Sequence, residues 1–254
     1  MKIASFTAEK HSGMKIFKPV QYLHIVGNHE NLSAVRVRAR LVNSESGRVD
    51  EIIPFIALDV LGEVASMNEG FFVGRNTGGV ADAGKAFAVN VMLHPSASIY
   101  LSNDKFLEVD IEGLESNAET TVYGIETANI DKEFICRYNK FYMSAGELQK
   151  TFSVGENENL ILPKDSFEEV SLHYHNGSTC NYLMDELKSL MMAKNDIVSV
   201  SDYLFSDGVT KAFIVQFGYR SMFGLDVSEV ESFDVRRTSA NTAFEFILID
   251  TLKN

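Results

Sequence analysis

Lys85-Ala86-Phe87-Ala88-Val89-Asn90-Val91-Met92-Leu93 and Lys211-Ala212-Phe213-Ile214-Val215-Gln216-Phe217-Gly218-Tyr219 open on the same three residues and continue as apolar runs. Three shared letters alone carry little. Laid over one another, however, the two runs also bring Ala57-Leu58-Asp59-Val60-Leu61 onto Leu183-Met184-Asp185-Glu186-Leu187, and Leu107-Glu108-Val109 onto Phe233-Asp234-Val235. Upstream, Val26-Gly27-Asn28-His29-Glu30-Asn31-Leu32 meets Val154-Gly155-Glu156-Asn157-Glu158-Asn159-Leu160. Downstream, Thr120–Ile125 meets Thr242–Ile247. The spacing drifts by a few residues along the chain, as it does when a tandem duplication diverges and its surface loops gain or lose residues. The sequence therefore reads as one unit present twice. Two copies are too few for a solenoid, so each copy has to bury a core of its own.

Composition sets the outer bounds. The 254 residues are 45% hydrophobic and 23% charged, a globular balance. No apolar run reaches the roughly 18 residues of a membrane-spanning helix, and the amino terminus lacks the sustained apolar core of a secretory signal, so synthesis in the cytoplasm is expected. A net charge of −12 argues against a dedicated nucleic-acid binder, which needs a basic face to displace counterions from phosphate. There is no tryptophan to offer a flat sugar platform, and the 18 Phe and 9 Tyr read mainly as core. Cys136 and Cys180 are the only cysteines, too few for a disulfide framework, and read as reduced packed thiols.

Along the chain, residues 1–20 stand apart as a basic arm, with Lys2, Lys10, Lys15 and Lys18 against Glu9 alone. Opposite charge favours contact between this arm and an acidic body, either its own sheet or a neighbouring chain, and the same lysines suit an anionic lipid surface. Read as an assembly arm, Met1 to Gly13 could be removed with the melting temperature nearly unchanged. The first β-module is expected over 21–146 and the second over 147–254. Arg36, Arg38 and Arg40 alternate with apolar residues at a period of two, which puts three guanidinium groups on one face of a half-buried strand, facing water or an acidic neighbour. Ile52–Met67 carries apolar residues at helical spacing, with Pro54 suited to a first turn. Its counterpart is a helix over Thr179–Ala193. Strands are expected at Ala86–Leu93, Ile99–Leu101, Phe106–Ile111, Thr120–Glu126 and Glu133–Met143, then at Asn159–Leu162, Glu168–Tyr174, Ala212–Tyr219, Ser232–Arg237 and Thr242–Leu248. Many short strands with one amphipathic helix per copy indicate a mostly β chain, a tandem pair of antiparallel sandwiches or barrels.

Several residues have the right chemistry for a site. His173-x-His175 would place two imidazoles on one strand face, where Glu168 or Glu169 could complete a metal site; the plain reading is a polar face running into the Asn176-Gly177 turn. Cys180 at a helix start would gain acidity, yet no oxyanion loop surrounds it. Gly74-x-x-x-Gly78-Gly79 lacks the Lys-Ser/Thr of a phosphate loop and reads as a flexible loop. Asp226, Glu229, Glu231 and Asp234 lack the spacing of a calcium loop and read as solvated surface. Met184, Met191 and Met192 read as core. No catalytic, cofactor-binding or metal residue is assigned, and no enzymatic activity is expected.

On its duplicated frames, Val26–Leu32 with Val154–Leu160 and Lys85–Phe87 with Lys211–Phe213, the chain resembles the double jelly-roll major capsid proteins of tailless, membrane-containing icosahedral phages, the compact corticovirus-like members above all. The resemblance covers roughly residues 21–254 and is one of architecture. It implies two upright eight-stranded jelly rolls per chain and three chains per capsomer, so that six similar rolls make a nearly hexagonal tile of a virion shell. The partners it implies are other copies of the chain, with penton and membrane-associated virion proteins beside them. Two alternatives remain at this stage: a two-module binding protein such as a spike or adhesion subunit, and a cupin-like metal enzyme using His173 and His175.

Overall fold

The computed structural model describes residues 1–28, 33–69, 74–75, 86–116, 119–163, 167–187, 222–237, 239–240 and 243–253. The chain divides into two compact units, and it passes from the first to the second between Tyr138 and Asn139.

In the first unit, β1 (Lys2–Thr7), β2 (Lys10–Ile16), β3 (Tyr22–Asn28), β4 (Arg36–Asn43) and β5 (Arg48–Ala57) lead into α1 (Leu58–Glu69). After it come β6 (Gly74–Arg75), β7 (Ala86–Met92), β8 (Ser98–Ile99), β9 (Lys105–Glu112), β10 (Glu119–Ile125) and β11 (Ile130–Asp131). Two sheets result, in the orders β1-β10-β3-β7-β6 and β2-β9-β4-β5, while β8 and β11 form a small parallel pair. Alternation builds the core: Val37, Ala39 and Leu41 of β4 and Leu107, Val109 and Ile111 of β9 are buried, and the residues between them turn outward. The other sheet adds buried Tyr22, Leu23, Ile25, Val89, Val91 and Val122.

The second unit takes β12 (Phe134–Met143) from Asn139 onward, β13 (Gln149–Ser153), β14 (Asn159–Pro163), β15 (Glu169–Tyr174), β16 (Thr179–Leu183), β17 (Met222–Asp226), β18 (Val230–Arg236) and β19 (Phe244–Lys253) as far as Thr251. Its sheets run β12-β19-β14-β17 and β13-β18-β15-β16. Matching β1, β2, β3, β4, β5, β7, β9 and β10 in turn to β12 through β19 reproduces both orders strand for strand. Both units are thus antiparallel, jelly-roll-like sandwiches. The core of the second holds Phe152, Phe233, Phe244 and Phe246 among aliphatic residues from both sheets. Phe152 lies 5.4 Å from Phe233 and 4.7 Å from Phe246, edge to face with the latter.

The duplication is visible in detail at the helices. Leu58 opens α1 directly after β5, and a helical turn opens at Met184 directly after β16. Leu61 and Leu187, aligned by sequence, are both buried. The helical expectations need shortening at their starts. Residues 52–57 belong to β5, with Ile52, Ile53 and Ile56 buried, and Pro54 sits there beside two register shifts rather than in a first helical turn. Because β5 is an edge strand, the missing N–H of Pro54 interrupts no ladder. Thr179–Leu183 is strand, its exposure alternating as it pairs with β15; residues 188–193 lie outside the described residues.

Two further readings change. Residues 1–16, set apart by charge, contribute β1 and β2, paired with β10 and β9, and buried Met14 and Ile16 belong to the core. Val26, Gly27 and Asn28 close β3, whereas Val154 follows β13, so the Val-Gly openings of the two stretches occupy different places in the two units despite their shared letters; residues 29–32 lie outside the described residues. Ala86 and Phe87 open β7, while Lys85, the second Lys-Ala-Phe and the expected strand at Ala212–Tyr219 lie outside the described residues.

Candidate functional site

The outward face of the β2-β9-β4-β5 sheet holds the densest set of charged contacts. Period-two alternation along β4 turns Arg36, Arg38 and Arg40 outward, and antiparallel register sets them opposite Glu112, Asp110 and Glu108 of β9. Arg38 bonds to Asp110 through Nη2 at 2.6 Å and Nε at 2.9 Å; Arg40 bonds to Glu108 and reaches Asp110 at 3.1 Å. The backbone N–H of Gly13 donates to the other Asp110 oxygen at 2.8 Å. Burial on its own would raise the pKa of Asp110, but the Arg38 hydrogen bond, the Gly13 N–H and the charges of Arg38 and Arg40 outweigh it and hold the pKa below its ordinary value. On the other flank β2 sets Lys10 opposite Glu112, 3.8 Å apart, and Lys15 opposite Glu108. The basic arm and the arginine strand therefore converge on the same three acids.

The equivalent face of the second unit carries different chemistry. Asp234, aligned with Glu108, accepts from Thr151 Oγ1 at 2.5 Å and meets His173 Nε2 at 3.1 Å, and His173 Nδ1 lies 3.1 Å from Thr179 Oγ1. Arg236 pairs with Glu169 at 2.6 Å and with Glu168 at 3.5 Å. His175 does not join His173, because a register shift at His173/Tyr174 ends the alternation and His175 falls in the exposed turn. Glu168 and Glu169 are engaged with Arg236, away from the imidazole's partners. Among the described residues no group of three His, Cys, Asp or Glu side chains could hold a metal ion.

The remaining candidates disperse. Cys180 lies in β16, not at a helix start, and its side chain bonds Tyr182, whose phenol is pushed up to about 12 by that bond and by burial. Asp226 accepts from the N–H and hydroxyl of Ser228 in its own turn, while Asp234 is on the sheet. Gly74 is in β6; Gly78 and Gly79 lie outside the described residues. Met184 packs against the second core; Met191 and Met192 lie outside the described residues. No helix among the described residues is long and apolar enough to cross a membrane.

Sequence reasoning missed one buried polar group. His94 accepts at Nδ1 from the N–H groups of Ala97 at 2.9 Å and Ser96 at 3.2 Å, which leaves Nε2 to donate to Asp131 at 3.2 Å. Asp131 also accepts from Glu133 and Phe134, so this constellation ties the β7–β8 loop to the turn before β12. Its members lie far apart in sequence and no spacing marks them.

No protein-family model matches the chain, and neither does any curated protein. Among solved structures, the major capsid protein P2 from bacteriophage PM2 is similar over 100% of this chain and 95% of its own, with a TM-score of 0.51 and 10% sequence identity. At that identity the likeness is one of fold. The PBSX exported protein XepA and a Macrobrachium rosenbergii nodavirus structure also cover 100% of this chain, with 86% and 89% of their own chains, each at 8% identity and a TM-score of 0.19.

Proposed function

We propose that this chain is a structural protein of a virion: a major capsid protein of the double jelly-roll kind, whose homotrimers present six similar β-units as a nearly hexagonal tile. The observation that carries this reading is the repetition of the same eight strands, in the same two sheet orders, within one chain. A threefold arrangement of chains with two like units closes its heterologous contacts and still packs on a hexagonal lattice, which gives the duplication a physical purpose. The fold-level likeness to a phage major capsid protein supports the same reading. On this proposal the chain has no enzymatic role. Its partners are other copies and, at special positions of the shell, penton and membrane-associated virion proteins; it is made in the host cytoplasm and resides in the virion.

Sedimentation velocity and negative-stain imaging of concentrated protein test the proposal directly. Trimers, followed by sheets or shells at higher concentration, are expected. A strict monomer that is stabilised by a small ligand would favour a two-module binding protein, and a monomer with stoichiometric zinc or iron lost in H173A would favour a metal enzyme.

A further inference from the structure

His24, His94 and His173 all bond through ring nitrogens, but a second proton acts differently on each. At His24, Nδ1 stands 2.7 Å from Asn90 Oδ1, an acceptor for a ring N–H. At His173, Nε2 faces the Asp234 carboxylate at 3.1 Å, and Nδ1 faces at 3.1 Å the Thr179 hydroxyl, which can turn to accept or to donate. A charged imidazole keeps all of these bonds. His94 differs. Its Nδ1 is filled by two backbone N–H groups, Ala97 at 2.9 Å and Ser96 at 3.2 Å, and a backbone N–H has no lone pair with which to accept. A proton on that nitrogen would set three donors facing one another.

The surroundings decide which side gives way. His94 is 7% exposed and stands in the loop between β7 and β8. Of the charged residues in the turn beside it, the Asp131 carboxylate bonds Nε2 at 3.2 Å, the Lys132 ammonium lies over the Tyr100 ring, and Glu133 is exposed. The strands on either side bring buried uncharged groups, Cys136 and Tyr138 of β12, and the Gln21 amide, which donates to the Pro95 carbonyl at 3.2 Å. Asp131 Oδ1 is taken by the N–H groups of Glu133 and Phe134, which fixes Oδ2 toward the ring. A proton at Nδ1 leaves the Nε2–H bond to Oδ2 in place and turns it into a charge-assisted one. The imidazolium therefore stays on Asp131, and the turn over residues 95–97 has to leave it. Pro95 and Ser96 already face solvent.

We infer that His94 is a proton-operated catch. Neutral, it holds the turn of residues 95–97 in place; charged, it keeps Asp131 and releases that turn, uncovering Ala97 at the entrance to β8. The change falls where histidines ordinarily gain charge, between about pH 7 and 5. It frees one turn and leaves the core intact, so the melting temperature stays nearly level across that range. The catch lies within the first unit and does not depend on the assembly proposed above.

Nuclear magnetic resonance on the full chain tests it. At about pH 7.5 the His94 ring should carry its proton on Nε2 alone. Amide exchange of Ser96 and Ala97, corrected for its intrinsic dependence on pH, should quicken at least ~10-fold between about pH 7.5 and about pH 5, while that of Ser232, opposite His173, is unchanged. H94N places a side-chain oxygen that can accept from the same two N–H groups and takes up no proton in this range, so its corrected exchange should be independent of pH. A neutral ring protonated at Nδ1 overturns the inference. So does corrected exchange at Ser96 and Ala97 that stays constant in the wild-type chain, or that quickens equally in H94N.

Discussion

Arg236 stands on β18 where Asp110 stands on β9, so the two units carry the same cross-strand ion pair with its polarity reversed. Asp110 bonds Arg38 at 2.6 Å and Arg236 bonds Glu169 at 2.6 Å. The pairs are not energetic equals, for Asp110 is only 2% exposed whereas the Arg236 side chain is 47% exposed.

D110A should therefore lower stability by about 2–4 kcal/mol, because it leaves Arg38, Arg40 and the Gly13 N–H without their acceptor. R236A should cost no more than about 1 kcal/mol. Urea titration of both variants checks the contrast; equal losses would show that burial does not separate them.

Acid should act through the same carboxyl. Asp110 is held below its ordinary value, as is Asp131 through the N–H of Glu133 above all, so each stabilises the fold above the ordinary carboxylate range. That stability is lost as pH falls through the depressed values, in a window below about pH 4. Melting temperature followed from pH 7 downward should stay level and then fall, and D110N should flatten part of that fall.

Removing Met1 to Gly13 should lower the melting temperature by about 10 °C or more, or prevent folding, even in dilute protein. The deletion takes away β1, its ladder with β10 and the bond from the Met1 ammonium to the Gly124 carbonyl at 2.7 Å, and it strips half of β2 from β9. This reverses the behaviour expected of a free assembly arm. A truncated chain that melts like the full one would show that these strands add little.

Gly113 and Gly47 both have positive φ, at 76° and 69°, but a Cβ at Gly113 would meet the Ala34 carbonyl oxygen at 2.1 Å while Gly47 has open space. G113A should cost at least about 2 kcal/mol and G47A about 1 kcal/mol. Chemical denaturation distinguishes them, and equal costs would mean that the backbone at Gly113 relaxes freely.

Much of the architecture was legible in short-range patterns. Alternation marked β4, and the aligned pairs Leu61/Leu187 and Leu107/Phe233 mark equivalent buried places in both units. The five shared letters of the Val26 and Val154 stretches misled, since identity in a strand end and a turn says nothing about which strand each adjoins. The starts of the two helices were read too early for a related reason. Ile52, Ile53 and Ile56 satisfy a helical spacing as well as a bulged edge strand, and only the partner strand decides between them.

The sequence by itself determined that this chain is a mostly β, duplicated structure with one helical stretch in each copy, because alternation, helical spacing and repetition are properties of neighbouring residues along the chain. Tertiary structure alone decided where the charges went. Lys10, Lys15, Arg38 and Arg40 meet Glu108, Asp110 and Glu112 from strands on either side of β9, and His94 finds Asp131, through registers set by long-range pairing. An ion pair between residues distant in sequence depends on which strands adjoin and on the register of their ladder, and neither is written in the local order of the residues that form it.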